Sequence, residues 1–175
     1  MEFKKIQLNG FKSFAEKTNF LIEDGLTGIV GPNGCGKSNI VESLRWCMGE
    51  TSAKSMRGSG MEDVIFSGTS NKPSKNIAEV SISLSNENKD GPIQYKELEE
   101  IHIRRKIEKD KGSKFYINDK EVRAKDAQMF FADLSTGAHS PSLISQGRIG
   151  ALVTAKPVDR RAILEEAAGI AGLHA

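Results

Sequence analysis

The octapeptide Gly31-Pro32-Asn33-Gly34-Cys35-Gly36-Lys37-Ser38 constrains this chain more than any other feature. It fits the pattern G-x-x-x-x-G-K-[ST]. Ahead of it lies a short apolar run, residues 26–30; behind it Ile40, Val41, Leu44, Trp46, Cys47 and Met48 recur at helical spacing until Gly49. Strand, glycine loop and helix in that order form the setting a phosphate-binding loop requires. A phosphate chain needs several backbone N–H groups converging on it, and glycines at 34 and 36 clear the approach. The helix dipole then faces the anion, Lys37 reaches the β- and γ-phosphates, and the Ser38 hydroxyl ligates Mg²⁺. The implied ligand is a nucleoside triphosphate with magnesium. An ordinary glycine-rich turn does not explain why Lys and Ser follow in that order.

A phosphate-binding loop does not hydrolyse its ligand alone; an acidic residue on Mg²⁺ and a group that positions water are also needed. The best internal candidate for that acid is Asp133, at the end of the apolar string Met129-Phe130-Phe131-Ala132-Asp133, although its spacing also suits a helix and no Glu follows. The second half of a hydrolytic site is therefore expected to lie outside these 175 residues.

The rest of the chain reads as follows. Phe3, Ile6 and Leu8 begin one strand, Phe20, Leu21 and Ile22 a second, and residues 26–30 a third, with turns at Gly10 and Asp24-Gly25. Segment 49–76 is loop, broken by Val64-Ile65-Phe66. Val80, Ile82 and Leu84, then Ile101, Ile103 and Ile107, alternate as half-buried antiparallel strands, and Asp110 to Ser113 makes a hairpin toward Phe115, Tyr116, Ile117 and Val122. Ala127, Phe130, Phe131 and Leu134 mark a helix over 125–134, and Pro157 opens another that runs to Ala168. Lys plus Arg number 25 against 23 Asp plus Glu, a balance that argues against a uniformly basic nucleic-acid glove. Two cysteines without C-x-x-C spacing fit a reducing compartment and suggest no zinc site. No apolar stretch approaches membrane-spanning length, and the N-terminal residues lack a signal core, so a cytoplasmic protein is expected.

Five blocks then occur in order: Gly10-Phe11-Lys12-Ser13-Phe14; Gly31 to Asn39; Met56-Arg57-Gly58 with Asp63-Val64-Ile65-Phe66; Ser145-Gln146-Gly147-Arg148; and Arg160-Arg161 with Glu165-Glu166-Ala167-Ala168-Gly169-Ile170. In that order they resemble the N-terminal part of the ATPase head of bacterial structural-maintenance-of-chromosomes (SMC) proteins. The resemblance implies an α/β P-loop NTPase fold: an ABC-ATPase-like N-terminal half-head with an antiparallel β subdomain and flanking helices, spanning residues 1–175. It also implies a coiled coil, a hinge and a C-terminal lobe that supplies the Mg-binding Asp, the catalytic Glu and the signature motif.

Carried over by resemblance, Gly31, Pro32, Asn33, Gly34, Cys35, Gly36, Lys37, Ser38 and Asn39 cradle ATP, with Lys37 serving catalysis and Ser38 binding Mg²⁺. Gln146 is the glutamine that contacts Mg²⁺ and the γ-phosphate region, and Arg57 reaches the phosphates. Lys12, Ser13 and Phe14 lie beside the nucleotide, with Asp63 to Phe66 near the base. The implied partners are a second SMC head in a homodimer, a kleisin-type subunit and DNA held without sequence preference, on a nucleoid-associated chromosome segregation protein; no membrane is involved. Lys54, Lys72, Lys75, Arg104, Arg105 and Lys106 are candidates for a DNA-facing surface, or equally for charged strand edges that discourage aggregation. Two other readings stay open: a repair ATPase of the RecF or RecN type, disfavoured by the segment from Arg160 to Ile170, and a self-contained P-loop NTPase or kinase. A module that binds nucleotide without hydrolysing it is what the lobe alone is expected to be.

Overall fold

The structure, a computed structural model, describes residues 1–89, 91–134, 154–158, 160 and 161. Six strands form one antiparallel sheet in the order β2-β1-β3-β4-β5-β6. They are β1 (Glu2–Asn9), β2 (Thr18–Leu21), β3 (Ile77–Ser85), β4 (Glu100–Glu108), β5 (Gly112–Ile117) and β6 (Lys120–Val122). Alternation dictates the buried face: Ala78, Val80, Ile82 and Leu84 of β3 point inward opposite Ile101, Ile103 and Ile107 of β4, with Ile82 directly across from Ile103.

Helix α1 (Lys37–Cys47) packs on β3 and β4 through Ile40, Leu44, Trp46 and Cys47. Its end falls where expected, since Gly49 takes a left-handed φ of 105° that a β-carbon would obstruct against Gln128. Gln128 belongs to α2 (Ala124–Asp133), which lies against β5, and its amide donates to the Gly49 carbonyl at 2.7 Å. Segment 49–76 is loop, as expected, apart from two short 3₁₀ turns at Lys54–Met56 and Met61–Val64.

Two expectations are corrected, and one ambiguity is resolved. Residues 26–30 do not pair as a strand: Leu26 is 98% and Val30 92% exposed. A buried strand at that place needs neighbours on both sides, and β2, the edge of the sheet, pairs only with β1. The helix expected over 125–134 forms as α2, with Phe130 and Phe131 buried and Met129 exposed, and the alternative of a strand ending in Asp133 does not. Arg105 faces the core instead of solvent, at 3% exposure, because it occupies the inward register position between Ile103 and Ile107. Of the helix expected from Pro157 to Ala168, Pro157, Val158, Arg160 and Arg161 are helical and the remainder lies outside the described residues. Among the described residues no helix is long and apolar enough to cross a membrane.

The Arg105 guanidinium stacks between the Trp46 ring at 4.5 Å and the Phe115 ring at 4.6 Å. Its Nη1 donates to the carbonyls of Trp46 and Glu50, both at 2.7 Å, and Nη2 to Ser113 Oγ at 3.1 Å. Burial pulls its pKa down to about 10, which leaves it charged at neutral pH. Arg105→Ala is expected to lower the unfolding free energy by about 2–4 kcal/mol, through lost charged hydrogen bonds and stem packing. The measurement is a urea titration with an earlier midpoint at unchanged slope. Arg105→Lys, which keeps the charge and lacks the fork, recovers only part.

Candidate nucleotide-binding site

The loop that opens α1 is shaped by glycine. Gly34 and Gly36 take φ of 80° and 92°, in the left-handed region where a side chain is strained. A β-carbon on Gly36 would sit 2.7 Å from Ser13 Oγ and 3.5 Å from the Phe14 ring. Gly36 is also the residue that caps α1, and it offers no side chain to the helix's first N–H groups. The first turn carries no acidic residue either. These donors and the positive end of the dipole are thus left for an external anion, which is what a phosphate group requires. Lys37 Nζ lies within the loop, donating to the carbonyls of Gly31 at 2.6 Å and Pro32 at 2.5 Å. The Ser38 hydroxyl is exposed at the helix start.

Two other segments meet this helix end. Gly10, at φ 63° with the Ile77 carbonyl where its β-carbon would go, turns the chain out of β1. Hydrogen bonds from Lys12 N to the Val64 carbonyl at 2.7 Å and from Phe66 N to the Gly10 carbonyl at 2.8 Å tie residues 10–14 to 64–66. Ser13 Oγ accepts a hydrogen bond from Asn39 Nδ2 at 2.8 Å, and Arg57 Nη2 donates to Asn39 Oδ1 at 2.8 Å. The candidates Lys12, Ser13, Phe14, Gly36, Asn39 and Arg57 are therefore brought together around the first turns of α1. Gln146 lies outside the described residues.

Asp63 lies in the turn just ahead of Val64, within electrostatic reach of Lys12. Its carboxylate accepts hydrogen bonds from Ser59 N at 2.7 Å, Ser59 Oγ at 2.9 Å and Gly60 N at 3.0 Å. The Gly60 donor first, then Ser59, holds it below the usual carboxylate range. It shapes the turn that follows Arg57. A hollow of about 430 Å³ opens beside Ser13 and Phe14, lined further by Phe66, Thr69 and Lys72. A larger groove, about 950 Å³, runs along β5, β6 and α2, away from the glycine loop.

Sequence reasoning missed Glu42. Its carboxylate, 10% exposed, pairs with both Lys12 Nζ and Arg57 Nε. The sequence offered only an indirect hint, in that Glu42 is the sole acid in the helical stretch 37–47.

The model of the RecF/RecN/SMC N-terminal domain matches residues 2–147. A chromosome partition protein Smc of Rhodopseudomonas palustris is 54% identical over 175 residues, covering 100% of this chain and 15% of that protein. The Smc of Cereibacter sphaeroides is 55% identical over 174 residues, 99% of this chain and 15% of its own length. The chain thus spans about 15% of the length of these curated relatives. A crystal structure of an Smc head bound to the C-terminal winged-helix domain of ScpA superposes with a TM-score of 0.85 at 32% identity, over 98% of this chain and 52% of that one. A structure from work on ATP-driven dimerization and DNA-stimulated activation of SMC ATPases gives 0.81 at 30% identity, over 95% of this chain and 99% of that one.

The two cysteines report on the site from opposite sides. Cys35 is exposed in the loop; Cys47 is buried, its thiol donating to the Val80 carbonyl at 3.5 Å and pushed up to about 12 by burial. A thiol-reactive chromophore is expected to label Cys35 rapidly and Cys47 only on unfolding. Labelling at both positions at one rate in the folded protein would contradict this placement.

Proposed function

The chain belongs to the RecF/RecN/SMC N-terminal domain family, and from that premise we propose that it is the ATP-binding N-terminal lobe of an SMC-type head. Residues 1–175 act as one lobe. The observation that carries the reading is the pairing of a glycine-shaped, uncapped helix start with an unpaired apolar segment immediately before it. The anion site and the sheet beside it are both left in half.

The residues fit Mg-ATP. The N–H groups at the start of α1 receive the phosphates, Lys37 exchanges its two loop carbonyls for phosphate oxygens, and the Ser38 hydroxyl takes Mg²⁺. Magnesium, when bound, neutralises charge on the β- and γ-phosphates. Arg57 lies against the first turn of α1 and serves the γ-phosphate side; Lys12, Ser13 and Phe14 flank the nucleoside side, where the smaller hollow gives room. Gln146 retains the role that the resemblance gives it.

In this reading the lobe binds the nucleotide, and a C-terminal lobe with a partner head completes hydrolysis. The whole protein then pairs two heads around ATP, engages a kleisin-type subunit and holds DNA without reading its sequence, in the nucleoid. The Smc structures bound to ScpA domains support the kleisin partner. The relatives and solved structures named above are Smc proteins, which leaves the RecF, RecN and compact-kinase readings without support. Met129 to Asp133 lie in α2 rather than at a strand end, which does not favour a self-contained enzyme.

Lys37→Ala in the full-length protein is expected to weaken ATP binding by about tenfold or more, roughly 1.4 kcal/mol, and to abolish ATP-driven head pairing. Equilibrium binding of a fluorescent ATP analogue and cross-linking of paired heads check this. Gly36→Ala, which places a methyl against Ser13 at a positive φ, is expected to lose binding to a similar extent. Unchanged pairing in both variants would overturn the mechanism.

A further inference from the structure

Glu42 is the acid on which two cations of the site converge. It stands one turn beyond Ser38 on α1, with Oε2 against Lys12 Nζ and Oε1 against Arg57 Nε. Each cation has a further anchor: Lys12 Nζ donates to the Met56 carbonyl, and Arg57 Nη2 to Asn39 Oδ1 at 2.8 Å. Both cations also sit on left-handed backbone, Lys12 at φ 48° and Arg57 at φ 53°, a conformation that persists in non-glycine residues only where surroundings hold it. Three chain segments, already linked through Asn39 to Ser13 and to Arg57, thus also converge on one carboxylate.

The charge count gives the cluster a direction. Glu42, Lys12 and Arg57 sum to one positive charge, and the neighbouring acid, Asp63, acts on the Lys12 side. The Arg57 side chain is 58% exposed, and two sides of its fork are occupied by Glu42 and Asn39. Among the described residues Nη1 makes no hydrogen bond, which leaves that edge of a planar, fixed donor for an anion at the first turn of α1.

We propose that Glu42 is a positioning residue that, with Asn39, holds the Arg57 guanidinium with one edge presented to the terminal phosphate of a bound nucleoside triphosphate. It acts through Arg57 and touches no phosphate itself. The proposal rests on the reading of the loop as a triphosphate site.

The test is a double-mutant cycle in the full-length protein: Glu42→Gln, Arg57→Ala and the pair, with Lys37→Ala alongside. Affinities for ATPγS and for ADP are measured with fluorescent analogues, together with the thermal midpoint. Glu42→Gln and Arg57→Ala are each expected to weaken ATPγS by about tenfold and ADP by no more than about twofold, and the double variant is expected to be no weaker than Arg57→Ala alone. Equal loss of both nucleotides, or losses that multiply in the double variant, would assign Glu42 a purely structural or independent role and overturn the proposal. If Glu42→Gln fails to fold, Glu42→Asp keeps the charge beside Lys12 with a shorter reach to Arg57. It is expected to reproduce the ATPγS-specific loss, and full affinity in it would overturn the proposal equally. If Lys37→Ala weakens binding while Arg57→Ala is silent, the triphosphate reading stands and the Glu42 proposal fails. If Lys37→Ala binds like the parent protein, the triphosphate reading itself fails and takes the proposal with it.

Discussion

Everything around the glycine loop depends on α1 being held at its far end, and the buried Arg105 guanidinium does the holding. It reaches from β4, is sandwiched by Trp46 of α1 and Phe115 of β5, and donates to the carbonyls of Trp46 and Glu50. Those carbonyls close the negative end of the helix dipole, so a positive group there is the favourable partner. The same helix is therefore satisfied by protein at its C-terminus and left open at its N-terminus. A helix polarised in this way has one end for the sheet and one for an anion.

The open end is built by segments distant in sequence, and small side chains permit the approach. Gly36 admits Ser13 and Phe14 because it has no β-carbon, and Gly10 turns residues 11–14 toward them. Asp63 organises the turn after Arg57, while Glu42 ties Lys12 and Arg57 to the helix. None of these last contacts depends on a ligand, so the candidate site is preorganised by its own hydrogen bonds and ion pairs. A charged ligand then meets groups that are already ordered, which lowers the entropic cost of binding.

Much of this was legible in the sequence, and the failures share causes. The glycine loop, α1, the alternating strands β3 and β4 and the hairpin into β5 were readable, because each rests on local conformational demands or on a period that one buried face imposes. Arg105 was misplaced because residue type outweighed position. Residues 101, 103 and 105 share one face of β4, so the alternation that assigned Ile101 and Ile103 to the core assigned Arg105 there too. Glu42 escaped notice for the complementary reason: its partners Lys12 and Arg57 stand 30 residues before it in one case and in a separate loop in the other, and no local pattern encodes such a pairing. Met129 to Asp133 was ambiguous by spacing, and packing against β5 resolved it as helix.

The failed strand at 26–30 is the most informative error, because the local signal was correct and the missing ingredient is tertiary. An apolar run ahead of a glycine loop is stable as a strand only when neighbours pair with both edges and cover both faces. Leu26 and Val30 stand in solvent, Leu21 on the sheet-edge strand β2 is 71% exposed, and Ile29 is 41% exposed, so apolar side chains are concentrated at the entrance to the loop. A surface of that kind invites a partner. In the proposed head it is the second lobe that supplies the neighbouring strands, and the acid needed to act on the nucleotide arrives on the same lobe. Pairing residues 26–30 would fix the backbone immediately before Gly31, so completing the sheet and completing the chemistry become one event rather than two.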